Sequence, residues 1–203
     1  FGERETQNLF AIVQGSTFAD LRRMTAEAST AERAGGAQYG GFAIGGLAVG
    51  EGHDAMLETL DAVMPYFPFV RPRYLMGVGK PIDLVESVAR GVDMFDCVIP
   101  TRSGRHGQVW ADAGPYNIKS AIYAEDNTPL APEIDCPAST QYTKAYIHHL
   151  IRSQELLGAM ILSWHNIAYF QHLMARMRAA IADGTFLAFY NSFKAGLVKK
   201  SAN

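Results

Sequence analysis

The stretch YLMGVGKPIDLVESVARGVDMFDCVIP, residues 74–100, decides the fold class of this chain. It begins with an apolar run from Tyr74 to Val78, continues with a segment from Ile82 to Arg90, and returns to an apolar run from Met94 to Ile99. In the middle segment apolar residues recur at three- and four-residue spacing, which predicts a helix between two buried strands. This order of strand, helix and strand is typical of a parallel βα unit.

The same alternation extends toward the N-terminus. Apolar runs at Leu9–Val13 and Gly41–Gly45 are each followed by a predicted helix, Phe18–Ala34 and His53–Tyr66 respectively. Between them, the glycine-rich residues 34–41 (AGGAQYGG) are interpreted as a flexible loop or a hinge. Each predicted strand ends in small or polar residues. These residues either permit tight turns or form a ligand site, since parallel α/β folds bind ligands at that end of the sheet.

The pattern changes after residue 100, and three segments are therefore predicted. Residues 1–100 are expected to form four βα units. Residues 101–164 begin with a stretch rich in Gly, Pro, Asp and Asn, and are interpreted as an inserted small β/helical subdomain. Residues 165–203 are expected to form C-terminal helices that pack on the βα units.

Both later segments contain short predicted elements, and one helix has an apolar face that predicts core positions. The predicted strands are Gln108–Ala111 and Ile118–Tyr123, and the predicted helices are Thr143–Leu157, His165–Asp183 and Thr185–Phe193. The predicted core positions are Ile167, Phe170, Leu173, Met174, Met177 and Ile181.

Composition narrows the class of protein. Of the 203 residues, 48% are hydrophobic and 19% are charged, which is ordinary for a folded chain with a substantial core. No stretch approaches the roughly 20 apolar residues that span a bilayer, and the N-terminal FGERETQN lacks signal-peptide architecture. The two cysteines, Cys97 and Cys136, lie far apart in sequence, which argues against a disulfide framework. We therefore expect a cytoplasmic protein without a membrane span.

Charge gives no general indication of nucleic-acid binding. The formal net charge is −2, whereas a dedicated electrostatic binder carries a clear basic excess, so any RNA contact must be local. Basic residues cluster in two places, and charge alone allows either solvated loop ends or local anion contacts. The clusters are Arg71, Arg73 and Lys80, and Arg102, Arg105 and His106.

Asp96 is the residue of the opening stretch that most needs an explanation. It places a carboxylate inside the apolar run from Met94 to Ile99, where an unpaired charge is costly. Either backbone N–H groups donate hydrogen bonds to this carboxylate and its role is structural, or it acts as a nucleophile or general base at the open end of the sheet. The residues alone leave both interpretations open.

Five motifs, in the same order as in the family, resemble tRNA-guanine transglycosylase of the bacterial type. The resemblance runs from about Leu9 to the C-terminal region. It implies the C-terminal half of a TIM (β/α)8 barrel, with an inserted subdomain of the family's zinc-binding type. The motifs are VQGS at 13–16, GGLAVGEG at 45–52, YLMGVGKP at 74–81, MFDCVIPTRSGR at 94–105 and AYIHHL at 145–150.

The resemblance also implies a reaction, the exchange of the wobble guanine in tRNAs with a GUN anticodon during queuosine biosynthesis. Asp96 then attacks the ribose C1′, guanine leaves, and the incoming base resolves the covalent intermediate, as in retaining glycosidases. The target base must be extruded from its neighbours to reach the pocket. The implied tRNA-binding residues are Arg102, Arg105 and Lys80, of which Arg102 and Arg105 match positions that read anticodon nucleotides.

The implied base-binding residues come from three of the motifs. Val49 indicates the bacterial branch, where valine leaves little space for the larger base queuine, so the 7-deazaguanine base preQ1 is the expected incoming base. Glycine at 46 lets the backbone approach a purine-like ring, and Met76 covers its face. The complete set is Gln14, Gly46, Leu47, Ala48, Val49, Met76 and Gly77.

The chain departs from the family in length. A (β/α)8 barrel takes about 250 residues, and the family's general acid/base aspartate lies in an N-terminal half that nothing here matches. An isolated half barrel would expose sheet edges, so we expect it to pair with an N-terminal half or with a second copy as a homodimer. The alternatives are a non-catalytic tRNA-binding or dimerisation module and an inactive remnant of the enzyme.

The second departure concerns zinc. The family carries a structural site of three cysteines and one histidine, and Cys136 and His165 are its matching residues here. Ile134 and Ser139 stand where the other two cysteines are expected. Either His148 or His149 of the AYIHHL motif replaces a lost ligand, or the subdomain is repacked without metal, which is the preferred interpretation.

Overall fold

The computed structural model describes residues 7–31 and 38–201, without the side chains of residues 197–201. The chain is divided into two compact units, Phe1–Cys97 and Val98–Asn203. The division lies slightly before the boundary predicted at residue 100. The predicted end of the first helix at Ala34, and the first half of the loop at 34–41, fall outside the described residues.

The first unit is a four-stranded parallel sheet whose strands lie side by side in chain order, with helices in the connections. This confirms the predicted α/β class. A 3₁₀ turn, Met64–Tyr66, follows the second helix. The elements are β1 (Phe10–Val13), α1 (Ala19–Thr30), β2 (Gly41–Ile44), α2 (His53–Val63), β3 (Arg73–Leu75), α3 (Pro81–Ala89) and β4 (Met94–Phe95).

The strand predicted at Met94–Ile99 is wrong beyond Phe95. Strand β4 ends at Phe95, and Ile99 begins helix α4 (Ile99–Arg105). Pro100 lies in the first turn of that helix, where its fixed φ and missing N–H are tolerated. Asp96 therefore follows the strand instead of lying within it.

One face of the sheet forms the core of the first unit. On β1, Ala11 and Val13 are buried, whereas the side chain of Ile12 between them points to the other face and is 53% exposed. Alternation of this kind is what a strand covered on one side produces. The main residues of the core are Val13, Ala26, Phe42, Ile44, Leu47, Met56, Leu60, Val63 and Leu75.

The second unit is mainly helical and has one small antiparallel pair of strands. A 3₁₀ turn at Ala121–Tyr123 lies between that pair and the later helices. Within the described ranges, none of the helices combines the length and apolarity needed to cross a lipid bilayer. After α4 the elements are β5 (Gln108–Val109), β6 (Tyr116–Asn117), α5 (Pro137–Thr140), α6 (Lys144–Arg152), α7 (Leu156–Ala182) and α8 (Phe186–Ser201).

The second unit differs from the sequence predictions in two places. Helix α7 begins at Leu156, so the predicted boundary between residues 164 and 165 falls inside one continuous helix. The chain reverses instead at Gln154, whose φ of 59° lies in the left-handed region. The strand predicted at Ile118–Tyr123 is also wrong, because β6 lies before it and a 3₁₀ turn occupies its end.

The predicted apolar face of α7 is only partly core. Phe170, Leu173 and Met177 are buried, but Ile167 is 43% exposed and Ile181 is 54% exposed. Met174 is partly buried. The helix contacts α4, α5, α6 and α8, so its buried surface is wider than one stripe and includes polar residues. His165 and Asn166 are both fully buried on it.

Candidate active site

A cavity of about 390 Å³ opens beside the residues that follow the strands of the first unit. The strands are parallel, so their carboxyl ends lie at one edge of the sheet, and the chain segments after them meet there. All the residues predicted for the nucleophile and the base-binding site line this cavity. The lining residues are Ile12, Gln14, Gly45, Gly46, Leu47, Ala48, Val49, Met76, Gly77 and Asp96.

Asp96 faces this cavity with an exposed and partly hydrogen-bonded carboxylate. Its Oδ1 accepts a hydrogen bond from the Tyr74 hydroxyl at 2.7 Å and another from the Gly77 backbone N–H at 2.9 Å. The Tyr74 hydroxyl, and after it the Gly77 N–H, hold the pKa of Asp96 below its ordinary value. The carboxylate is therefore ionised at neutral pH and available at the cavity.

Tyr74 is a site residue that the sequence analysis missed. In the parallel register Tyr74 pairs with Met94, and Asp96 lies two residues beyond Met94. Side chains two residues apart along an extended chain point to the same face, which places the Tyr74 hydroxyl beside Asp96. Aligning the two apolar runs by their first residues, Tyr74 and Met94, would have indicated this contact.

The Gln14 carboxamide lies directly against the glycine pair after β2. A Cβ atom placed on Gly45 would stand 2.5 Å from Gln14 Nε2, and one on Gly46 would stand 2.6 Å from Gln14 Oε1. Any larger residue would displace the amide. Gly46 also has a φ of +68°, a conformation that favours glycine. This close packing explains why glycines stand beside Gln14.

A buried arginine holds the turn that carries Gln14. The Arg22 side chain is fully buried, and its Nη1 donates to Val13 O at 3.0 Å while its Nε donates to Ser16 O at 2.7 Å. The Thr25 hydroxyl donates to Gln14 O at 2.6 Å. Helix α1 therefore fixes the backbone on both sides of Gln14.

Glu51 fixes the loop that forms another wall of the cavity. Its Oε1 accepts from the Ala48 N–H at 2.5 Å, and its Oε2 accepts from the Val49 N–H at 2.9 Å. Burial tends to raise the pKa of Glu51, but the hydrogen bonds from Ala48 and its neighbours outweigh burial and lower it. Because the Ala48 N–H points to Glu51, the Leu47 carbonyl of the same trans peptide points the opposite way.

The predicted tRNA-binding residues do not line this cavity. Lys80 is exposed and immediately precedes α3. Arg102 and Arg105 are exposed in the last turn of α4, in the second unit. Arg73, counted with Lys80 in one basic cluster, is not a solvated cation. It is buried and pairs with Asp93 at 3.2 Å.

Ser139 and His165, at the zinc position predicted from the sequence, are hydrogen-bonded to each other and to the backbone. The Ser139 Oγ lies 2.9 Å from His165 Nδ1, and His165 Nε2 lies 3.1 Å from Trp110 O. A carbonyl only accepts, so Nε2 carries the proton and Nδ1 accepts from the Ser139 hydroxyl. Ile134 and Cys136, which lie close to Ser139 in sequence, are both buried.

These side chains do not fit a structural zinc site. Such a site takes four thiolate or imidazole ligands, and both nitrogens of His165 are already hydrogen-bonded. His148, whose Nδ1 donates to Ile118 O at 2.7 Å, belongs to no cluster of possible ligands within the described residues. Across residues 7–31 and 38–201, no cluster of three or more His, Cys, Asp or Glu side chains could hold a metal ion.

Comparison with known proteins gives one consistent family. The family model described as queuine tRNA-ribosyltransferase matches residues 1–199. A protein of that name from Caulobacter vibrioides is 63% identical over 195 residues, which are 96% of this chain and 51% of the relative. Relatives of the same name from Brucella suis and Rickettsia typhi are 52% and 50% identical, over 93% and 94% of this chain. The chain spans about half the length of these relatives.

Proposed function

Because this chain belongs to the queuine tRNA-ribosyltransferase family, as its motifs predicted, we propose that it is the nucleophile-bearing part of a tRNA-guanine transglycosylase. The enzyme replaces guanine at the wobble position of GUN-anticodon tRNAs with preQ1. The observation that carries this proposal is the ionised Asp96 carboxylate, which lines one cavity with Gln14, Gly46 and Met76. A flat heterocycle bound there has its glycosidic carbon within reach of a nucleophile.

The reaction is a double displacement at the ribose C1′. An oxygen of Asp96 bonds to C1′ as the bond from C1′ to guanine N9 breaks, and guanine leaves with the electron pair. The incoming base then attacks C1′ through its own N9 and loses a proton, while the bond from C1′ to the Asp96 oxygen breaks and its electron pair returns to the carboxylate. The proton transfers need a general acid/base that lies outside the matched half of the family.

The cavity walls supply complementary groups for such a base. The Gln14 carboxamide offers both a donor and an acceptor to the edge of the ring. The Leu47 carbonyl is a further acceptor, since Glu51 holds the N–H of the same peptide unit. Met76 provides a polarisable side chain that covers the ring face. Val49 stands at the mouth and limits the size of the substituent that the incoming base carries.

The tRNA contacts are local, as the net charge of −2 requires. Arg102 and Arg105 are exposed cations that follow Asp96 closely along the chain, and they bind anticodon nucleotides beside the exchanged base. Lys80 contacts the backbone phosphates. A tRNA substrate assigns the enzyme to the cytoplasm.

The rest of the barrel completes the site. Within the described sheet, β1 and β4 each pair with one strand only. Ile12 on β1 and Met94 on β4 are exposed. Unpaired sheet edges recruit further strands. We assign this role to the N-terminal half of a (β/α)8 barrel, with the second unit as the inserted subdomain and C-terminal helices. The assembled enzyme is a homodimer.

The subdomain holds no zinc. Ser139, Ile134 and the hydrogen bonds of His165 replace the ligand set that the family uses. Hydrogen bonding and apolar packing then stabilise this region in place of metal coordination.

An exchange assay tests the proposed function. This chain is mixed with the part of the Caulobacter vibrioides relative that it does not cover, and incorporation of labelled guanine into a GUN-anticodon tRNA is measured. Asp96→Asn should abolish exchange, lowering it on the order of 10³-fold or more because the nucleophile is lost. Asp54→Asn, which removes an exposed carboxylate outside the cavity, is the control. Full exchange by the Asp96 variant would refute the proposal.

A further inference from the structure

Two donors converge on one oxygen of Asp96. The Tyr74 hydroxyl comes from β3, and the Gly77 N–H comes from the turn after it. Both reach Oδ1, at 2.7 Å and 2.9 Å. A carboxylate oxygen that accepts two hydrogen bonds has less electron density available for attack than its partner oxygen.

We propose that Tyr74 is a positioning residue for the nucleophile: with the Gly77 N–H it holds Oδ1 of Asp96 and presents Oδ2 to the ribose C1′. This inference rests on the proposed base exchange. It assigns separate roles to the two carboxylate oxygens. One is an anchored acceptor, and the other forms the covalent bond.

Tyr74 suits this role because it remains a neutral donor. The hydrogen bond to Asp96, followed by burial, raises the pKa of Tyr74, so the phenol keeps its proton throughout the neutral range. The backbone N–H of Gly77 cannot titrate at all. The carboxylate orientation is therefore insensitive to pH while Asp96 stays ionised.

The anchored oxygen matters most when the covalent intermediate breaks down. Formation of the C1′–Oδ2 bond converts the carboxylate to a neutral ester, and the hydrogen bonds at Oδ1 weaken. When the incoming base displaces the ester, the C1′–Oδ2 bond breaks and negative charge returns to Asp96. Donors already placed at Oδ1 stabilise that developing charge, as preorganised donors do in other enzymes. Tyr74 therefore accelerates resolution of the intermediate more than its formation.

Titration of the Asp96 carboxyl tests the anchoring directly and needs no enzymatic activity. Carbon NMR of carboxyl-labelled protein follows this group as the pH is lowered. Tyr74→Phe should raise the Asp96 pKa, because the donor that lowers it most is removed. Tyr66→Phe, a tyrosine of the same unit outside the cavity, should leave it unchanged. Replacing Tyr74 with 3,5-difluorotyrosine keeps the packing, strengthens the donor and should lower the pKa.

The second readout compares the rates at which the covalent intermediate forms and breaks down. It is measured with tRNA in the enzyme complemented by the N-terminal half. Tyr74→Phe should slow release of the ribosyl adduct roughly tenfold, with a smaller effect on adduct formation, so the adduct accumulates. An Asp96 titration that neither Tyr74 substitution moves would overturn the inference, as would unchanged adduct partition. If unmodified enzyme forms no adduct, the base-exchange proposal fails, and with it the role of Oδ2. The titration then shows separately whether Tyr74 anchors the carboxylate.

Discussion

The Ser139 hydroxyl donates to Nδ1 of His165 across 2.9 Å, and both side chains are fully buried. The family resemblance of the sequence predicted a cysteine ligand to zinc at the position of this serine. We propose that this hydrogen bond stabilises the region in place of a metal ion. Ile134 fills the position of the other missing ligand with an apolar side chain.

The first prediction concerns metal. Purified protein should contain substoichiometric zinc, and a strong chelator should leave its thermal unfolding midpoint unchanged, because the region is stable without metal. The double substitution Ile134→Cys and Ser139→Cys should restore a Cys₃His set with Cys136 and His165, so that one zinc binds per chain and raises the midpoint. One tightly bound zinc in the unmodified protein, with a lower midpoint after chelation, would contradict this prediction.

The second prediction concerns acid stability. Burial lowers the pKa of His165, so the folded unit holds this imidazole neutral while the unfolded chain protonates it near pH 6.5. The stabilisation is complete above that value and declines as the pH falls below it, by at most about 1.4 kcal/mol per pH unit. Both tryptophans, Trp110 and Trp164, belong to this unit, so their fluorescence reports its urea unfolding.

His165→Gln is the matched variant for this experiment. Its amide supplies N–H donors and a carbonyl acceptor, which can replace the donor and the acceptor of the neutral imidazole, but it does not titrate. Between pH 7 and pH 5 its free energy of unfolding should decline less than that of the unmodified protein. Parallel declines for the two proteins would show that His165 is not the titrating group.

The third prediction concerns the packing of Gln14 against glycine. Gly46→Ala should displace the Gln14 carboxamide, since the added methyl would stand 2.6 Å from its oxygen. We expect the apparent KM for the base to rise about tenfold as hydrogen bonds to Gln14 are lost. Gly52→Ala is the control, because Gly52 has a φ of +88° but open space around its Cβ position. Equal changes in KM for the two variants would mean that backbone strain, and not Gln14, is responsible.

The fourth prediction concerns the choice of incoming base. Val49 is 81% exposed and lines the cavity, so Val49→Gly should open the mouth and allow queuine to be incorporated along with preQ1. Val70→Gly removes an equally exposed valine outside the cavity and should leave base preference as it was. If Val49→Gly incorporates the two bases in the same ratio as the unmodified enzyme, Val49 does not limit base size.

The sequence predicted the first unit well because its signals are local. Apolar runs of strand length, separated by helix-period segments, fix the alternation of β1 to β4, and motif order placed the cavity residues together. The hydrogen-bond partners of the cavity residues were harder to predict from the sequence. Tyr74 looks like an ordinary strand aromatic until the register with Met94 is known, and Glu51 looks like a solvated loop charge.

The errors arose where tertiary packing decides the outcome. Val98 and Ile99 continue an apolar run, yet Pro100 favours the first turn of a helix, and α4 packs against α7. In the same way, Ile167 and Ile181 match the period of an apolar helix face but lie exposed, while His165 and Asn166 are buried. Buried Asn166 is fully hydrogen-bonded to residues distant in sequence. Its Oδ1 accepts from the Trp110 N–H, and its Nδ2 donates to Pro100 O.

The most direct test of Asp96 as the nucleophile is to locate the covalent bond. The complemented enzyme is incubated with a GUN-anticodon tRNA in the absence of an incoming base, denatured, digested with nuclease and protease, and analysed by tandem mass spectrometry. We expect the ribosyl mass on the peptide containing residues 91–102, with fragment ions that place it on Asp96. A ribosyl group on any other residue would contradict the assignment of Asp96 as the nucleophile.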